Sequence, residues 1–246
     1  MKKVAILPVY NEEKTVINVL NKLKQYVDII IVVNDGSTDN SDFLIRKWMN
    51  KNESNYCIVM KKNKGMATAL KEGFYLVCRL ITEGIIDLDD LVLNIDADGQ
   101  HDPKYIPKMV DYLFDNGYDM VLARRNLIHC GWYKRFGNLF LTYMARITSG
   151  FKFNDIECGY RLLKAKVIPK LVQYYTGKKY SCAQEIGIIT AHLGFNISND
   201  YLIHIPFYRN RGTTAKDGPV VLMYSLIALF RVKFGLKSTP LINCKK

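Results

Sequence analysis

Short apolar runs alternate with helical stretches along the first half of the chain. In the first helical stretch, apolar residues recur at spacings of three and four, as at Val16, Val19, Leu20 and Leu23. The apolar runs between such stretches have the length of strands. The pattern predicts strands at 4–9, 28–35, 56–60, 90–96 and 119–123, and helices at 13–26, 41–51, 66–82 and 104–116.

This repeated order of strand and helix predicts an α/β fold with a mostly parallel sheet. Ligands of such sheets bind beyond the carboxyl ends of the strands. Four polar loops follow those ends and should converge on one edge: "PVYNEE" (8–13), "NDGSTD" (34–39), "KKNKG" (61–65) and "DADGQHD" (96–102).

The second half is less regular. It favours helices at 133–149 and 183–193, a turn at "ECGYR", a strand near 196–206 and an amphipathic helix at 219–236. That last helix would rest on the membrane surface or, alternatively, pack on the domain's own core or in a dimer interface. The length of 246 residues suits one domain, 1–218, followed by a C-terminal segment, 219–246. The apolar run at 219–230 is shorter than the roughly 20 residues of a spanning helix, and no N-terminal signal is expected.

Two carboxylates, Asp96 and Asp98, follow the apolar run that contains Ile95. Carboxylates leaving a core repel one another, so a cation is expected beside them. The D-x-D spacing at a strand end should point both side chains to one side, where Mg²⁺ or Mn²⁺ would bind with a substrate diphosphate. For Asp102, before Pro103, a helix-capping role is the alternative.

The first two loops offer candidates for a nucleotide pocket. Pro8 and Tyr10 would form a wall against a nucleobase, Glu12 would accept hydrogen bonds, and Asp35 would accept them from a base or ribose. For Asn11, in the same loop, a helix cap is the alternative to a place in this pocket.

Four motifs in order, "PVYNEE", "NDGSTDNS", "NKGMATALKEG" and "DADGQ", resemble the inverting family-2 glycosyltransferases. Within that family the chain is similar to the polyprenyl (dolichyl) phosphate mannosyl- and glucosyltransferases, from Val4 to about Gly218. The resemblance implies a GT-A fold and a nucleotide-sugar site. The residues it implies for that site are Pro8, Tyr10, Glu12, Asp35, Asp96, Ala97, Asp98 and Gln100, with Asp96, Asp98 and Gln100 holding the metal and diphosphate.

The resemblance in the second half concerns the acceptor. Arg125 matches the arginine of a G-S-R motif whose first two residues are here Ala123 and Arg124, and Arg135 is similar to a second arginine used against the lipid phosphate. "DIECGYRLLKAKVI" (155–168) resembles the D-x-x-x-G-F-R segment. An arginine-rich loop at 205–218 adds Arg209, Arg211 and Lys216 as diphosphate contacts, although Ala215 replaces the serine of its G-x-S-K ending.

The implied reaction moves one sugar from GDP-mannose or a UDP-hexose to polyprenyl or dolichyl phosphate. A lipid phosphate is already anionic, so it attacks without a general base, and Asp96, Asp98, Arg125 and Arg135 are the residues assigned to catalysis. A transferase acting on a glycan or lipid-linked saccharide hydroxyl is the alternative, and would need a carboxylate base such as Asp155 or Glu157. His101 is expected to pack or cap.

A formal charge of +12 favours an anionic partner. Together with the resemblance it predicts an enzyme held peripherally on the cytosolic face of a membrane, in a cytoplasm where the six scattered cysteines stay reduced. A basic nucleic-acid-binding protein is the alternative from another class, but no nucleic-acid module is visible. The oligomeric state, the sugar and the base stay open.

Overall fold

The computed structural model describes residues 1–52, 54–126, 131–178, 181–205 and 218–237. Its strands are β1 Lys3–Val9, β2 Ile29–Asn34, β3 Tyr56–Val59, β4 Leu91–Asn94, β5 Met120–Leu122, β6 Arg124–Arg125, β7 Arg161–Lys164, β8 Ile197–Ser198 and β9 Leu202–Ile203. Its helices are α1 Val16–Leu23, α2 Ser41–Met49, α3 Met66–Thr82, α4 Ile106–Asp115, α5 Trp132–Ser149, α6 Ile168–Leu171, α7 Cys182–His192 and α8 Gly218–Lys233.

The described strands form a seven-stranded sheet in the order β3-β2-β1-β4-β7-β5-β8. It is mostly parallel, as predicted, because β1 pairs with both β2 and β4 in parallel and the connections between them are helical. Its central strands are apolar and buried on both faces, as in a sheet covered by helices on both sides. The carboxyl ends of β1, β2 and β4 therefore lie side by side.

One strand was missed. β7 lies antiparallel between β4 and β5, with Arg161 opposite both Asn94 and Leu122. It places the segment 155–160 directly beside the end of β4. From the sequence, only a turn and a resemblance to a family motif are predicted in this segment.

Two predicted elements are shorter than expected. The first helix begins at Val16 because residues 12–15 form a turn closed by the Thr15 amide donating to the Glu12 carbonyl. The predicted strand at 196–206 is two two-residue strands in different sheets, β8 and β9. Buried Asn199 interrupts it: its Oδ1 accepts from the Asp155 amide at 2.8 Å, and its Nδ2 donates to the Leu122 carbonyl at 2.9 Å.

The C-terminal helix is present, but it is apolar on two faces instead of amphipathic. Val221, Ser225 and Ala228 are buried in its contact with α5 and α7, whereas Met223 and Phe230 are exposed. No helix in the described ranges is long and apolar enough to cross a membrane.

Candidate active site

The first two loops are fastened to each other at the edge of the sheet. The Asn11 amide donates to Ser37 Oγ at 3.1 Å, and its side-chain oxygen accepts from the Thr38 amide at 2.8 Å. Asn11 has a φ of 53°, which asparagine tolerates better than most residues. It therefore joins loops and does not cap α1, whose N-cap is Thr15.

The proposed nucleotide wall divides into a buried and an exposed part. Pro8 is buried within β1, opposite Val33 of β2, whereas Tyr10 is 44% exposed beyond the strand. Any contact with a nucleobase thus falls to Tyr10. Glu12 is partly buried, and its carboxylate accepts from Thr15 Oγ1 at 2.9 Å.

Asp35 is a buried carboxylate that joins the second loop to the third. Its two oxygens accept from the backbone amides of Lys64 and Gly65, both at 2.8 Å. Burial raises its pKa, and the two amides oppose that rise. Both carboxylate oxygens of Asp35 are thus already bonded to the backbone of the third loop.

The carboxylate pair, Asp96 and Asp98, lies in the turn after β4, which ends at Asn94. The turn, not strand alternation, brings them together. Asp98 accepts from the Gln100 amide at 2.9 Å and from Gln100 Nε2, while Ala97 between the pair is buried. Gln100 therefore orients Asp98 through its nitrogen atoms.

Asp96 lies against bare backbone. A Cβ at Gly159 would come 2.6 Å from Asp96 Oδ2, so any larger residue there would displace the Asp96 carboxylate. Burial and the nearby Asp98 raise the pKa of Asp96, whereas His101, Arg161 and Arg125 oppose the rise. The two arginines thus add positive charge near Asp96.

Arg161 and Asn94 form a buried polar layer beneath Asp96. Both side chains are almost fully buried, and Arg161 Nε and both side-chain atoms of Asn94 have no hydrogen-bond partner in the described structure. An arginine inside a strand carries no periodic signal, so only the D-x-x-x-G-F-R resemblance pointed to it.

His101 lies against Asp96, with 3.5 Å between His101 Nδ1 and Asp96 Oδ2, whereas Asp102 caps the turn that follows. His101 is buried and stacked on Tyr160, with ring centroids 5.2 Å apart, and burial lowers its pKa. Asp102 caps the 3₁₀ turn at Pro103–Tyr105 by accepting from the Lys104 amide at 3.0 Å.

The two predicted acceptor arginines lie near one end of α5. Arg125 donates to both oxygens of buried Asp155, at 2.7 and 2.8 Å, and to Asn138 Oδ1 on α5 at 3.0 Å. Arg135 is exposed in the first turn of α5, three residues before Asn138, so the two side chains are helix neighbours. Arg209, Arg211 and Lys216 lie outside the described residues.

The oxygen-only character of the carboxylate pair fits a hard divalent cation. Mg²⁺ and Mn²⁺ prefer carboxylate oxygens, and a cation between Asp96 and Asp98 would oppose both the burial and the repulsion that raise the pKa of Asp96. Among the described residues, no group of three or more His, Cys, Asp or Glu side chains is arranged to hold a metal.

The sheet order and the carboxylates at its carboxyl edge are those of a GT-A glycosyltransferase. The chain belongs to glycosyl transferase family 2, whose family model matches residues 4–172, more than half of its length. This membership favours the enzyme interpretation over the nucleic-acid-binding one.

Relatives and solved structures agree with that family. An uncharacterised protein of Methanocaldococcus jannaschii is 30% identical over 81% of this chain and 86% of its own. The UDP-N-acetylglucosamine–dolichyl-phosphate N-acetylglucosaminyltransferase of Methanococcus voltae is 28% identical over 91% of this chain and 94% of its own. Glucosyl-3-phosphoglycerate synthase of Mycobacterium tuberculosis, solved with Mn²⁺, UDP and glucosyl-3-phosphoglycerate, shares the fold with a TM-score of 0.65 at 19% identity, over 95% of this chain and 80% of its own.

Proposed function

We propose that this glycosyltransferase moves a sugar from a nucleotide diphosphate sugar to a polyprenyl or dolichyl phosphate. One observation carries the proposal: Arg125 lies close enough to Asp96 to influence its pKa and also donates to Asn138 of α5, one turn from exposed Arg135. A diphosphate at the carboxylate pair and a phosphate at the arginines would thus be neighbours.

The acceptor assignment is supported by chemistry around Arg135. Large apolar side chains are exposed on the same helix, with Trp132 at 81% and Phe136 at 68%. A cation among exposed apolar groups suits a phosphate carried by a long hydrocarbon. Such an acceptor resides in a membrane, which supports a peripheral location on its cytosolic face.

The donor is best taken as a UDP-sugar. The Methanococcus voltae relative, similar over nearly the full length of both chains, is named for UDP-N-acetylglucosamine and dolichyl phosphate. That name favours a UDP-sugar over GDP-mannose, and gives no support to the mannosyl subtype that the sequence motifs first suggested.

The transfer is a single in-line displacement. An oxygen of the acceptor phosphate forms a bond to the anomeric carbon as the bond from that carbon to the diphosphate breaks, which inverts the configuration. Asp96 and Asp98 would hold a divalent cation, which would supply positive charge to offset that of the departing nucleoside diphosphate. Arg125 and Arg135 hold the acceptor phosphate in line. That phosphate is already anionic, so no general base has to remove a proton from it.

Asp98→Asn tests the carboxylate pair. The asparagine keeps an oxygen for the Gln100 amide but loses the charge, so transfer should fall by roughly 100-fold or more with little change in melting temperature. Asp102→Asn, in the same loop, is the control and should stay active, and chelator should abolish wild-type turnover. Full activity of Asp98→Asn would exclude the metal assignment.

The arginines are tested separately from the donor. Arg135→Ala should weaken apparent acceptor affinity by roughly tenfold, because a charge-assisted contact is lost. Arg125→Ala should do the same and also lower the melting temperature, since it leaves Asp155 unpaired. Exposed Arg79→Ala serves as the control. A rise in donor KM alone would show that both roles are misassigned.

Transfer to a saccharide hydroxyl is a second candidate, favoured by Glu157. Burial raises the pKa of Glu157, as suits a general base, whereas the Arg125 pairing holds the pKa of Asp155 below its usual range against the effect of burial. A lipid-linked saccharide used in preference to polyprenyl phosphate, with loss of that activity in Glu157→Gln, would establish this candidate.

A further inference from the structure

A basic cavity of about 270 Å³ opens on a part of the molecule that includes neither the carboxylate pair nor the acceptor arginines. It lies between α3, the loop after α6 and α8. Three cations from these three elements line it, together with two hydroxyl-bearing side chains and one apolar residue: Lys71, Lys178, Arg231, Thr176, Tyr224 and Ile227.

The wall formed by the loop is held rigidly. The Thr176 amide and hydroxyl both donate to the buried carboxylate of Glu185 at 2.6 Å, and Thr68 Oγ1 donates to the Gly177 carbonyl at 2.9 Å. A Cβ on Gly177 would come 2.7 Å from Lys71 Cδ, so glycine lets Lys71 lie flat against the loop. The cavity is therefore preorganised.

Two of the three cations of this cavity donate to backbone carbonyls. Lys71 Nζ donates to the Thr176 carbonyl at 3.2 Å, and Arg231 Nε donates to the Leu236 carbonyl at 3.1 Å. In the part of the chain that the structure describes, no carboxylate forms an ion pair with Lys71, Lys178 or Arg231. Three positive charges that line one cavity and form no ion pair among the described residues favour an anion, and lysine and arginine donors suit phosphate oxygens.

An apolar surface adjoins the cavity and indicates the rest of the ligand. Ile227 lines the cavity and is also exposed, next along α8 to exposed Met223, Leu226 and Phe230. Neither α5 nor α8 contains an aspartate or glutamate. An anionic group that arrives with hydrocarbon beside it is a lipid headgroup.

We propose that this cavity binds the phosphate headgroup of an anionic bilayer phospholipid, with the exposed face of α8 resting at the headgroup boundary. The site is separate from the acceptor site and would hold the enzyme on an anionic membrane whatever sugar it transfers.

Vesicle binding by the full chain tests the site without any transfer assay. Phosphatidylcholine vesicles with and without phosphatidylglycerol are compared for wild type, Lys71→Met/Arg231→Met and the charge-matched control Lys47→Met/Lys108→Met, both control residues being exposed. The cavity variant should lose roughly tenfold or more of its affinity for the anionic vesicles, and the control much less. Equal losses would mean diffuse attraction and overturn the site.

Two further measurements complete the test. If the double variant melts early, Lys178→Met replaces it, because Lys178 is exposed and its removal leaves the loop bonds intact. Inorganic phosphate, titrated without vesicles, shows whether the cavity binds a soluble phosphate or the phosphate of a lipid. Saturable phosphate binding that the cavity variant abolishes, with vesicle binding unchanged in that variant, would identify a soluble phosphate and overturn the lipid assignment.

Discussion

Glu185 is a fully buried carboxylate in the first turn of α7, and neutral groups donate hydrogen bonds to it. It accepts from the Thr176 amide and hydroxyl and from Ser181 Oγ. Burial raises its pKa above the ordinary 4.5, and these hydrogen bonds oppose the rise without cancelling it. A sequence shows only a glutamate near a helix start, which usually signals an exposed first turn.

A pH dependence of stability follows at this residue. The folded chain keeps the Glu185 proton to higher pH than the unfolded chain, so the free energy of unfolding should fall as pH rises from 4.5 through the raised pKa. In Glu185→Gln that slope should flatten. Denaturant unfolding at a series of pH values measures it, with exposed Glu83→Gln as control. Parallel curves for wild type and Glu185→Gln would contradict the assignment.

At the scale of elements, the Arg125–Asp155 pair ties β6 to the segment before β7 and, through Asn138, to α5. Asp155 is 1% exposed. Asp155→Asn leaves the Arg125 charge without its counter-ion, and should lower the free energy of unfolding by about 3–5 kcal/mol. Chemical denaturation measures this.

The companion variant separates the charge from the packing. Arg125→Met/Asp155→Leu should recover part of the lost stability, because no unpaired charge is left behind. A cost of less than about 1 kcal/mol for Asp155→Asn alone would mean that water already solvates the pair.

The elements that sequence predicted well are those with a clean period. The parallel strands and α3 have buried, regular apolar positions. β7 is not predicted from the sequence because it begins with a buried arginine and ends with a lysine. The apolar pair between them, Leu162 and Leu163, is too short to indicate a strand. In the site, the carboxylates were visible in the motif, but the contact of Gly159 with Asp96 depends on that unpredicted strand.

At the scale of the whole molecule, α5 and α8 pack together and both leave large apolar side chains in water. Phe136 is 68% exposed and Phe230 is 55% exposed. Removing α8 by truncation after Gly218 would expose the surfaces of α5 and α7 that it covers. Point variants therefore give a sharper test of membrane contact.

Neutral phosphatidylcholine vesicles separate this apolar contact from charge. Phe136→Ser and Phe230→Ser should each lower vesicle partitioning by roughly tenfold, as expected for one large side chain withheld from the bilayer. Phe43→Ser on α2, where the side chain is 65% exposed, is the matched control and should bind like wild type. If all three variants bind alike, these helices do not face the lipid.

The fastening of three loops through Asn11, Ser37 and Asp35 has a consequence for redesign. Each loop is held by hydrogen bonds from its neighbour, so the pocket keeps its shape as one unit. Grafting a single loop from another transferase would leave hydrogen-bond donors and acceptors on the other two loops without partners. If the three loops form the nucleotide pocket, as proposed, a change of nucleotide preference would require them to be exchanged together.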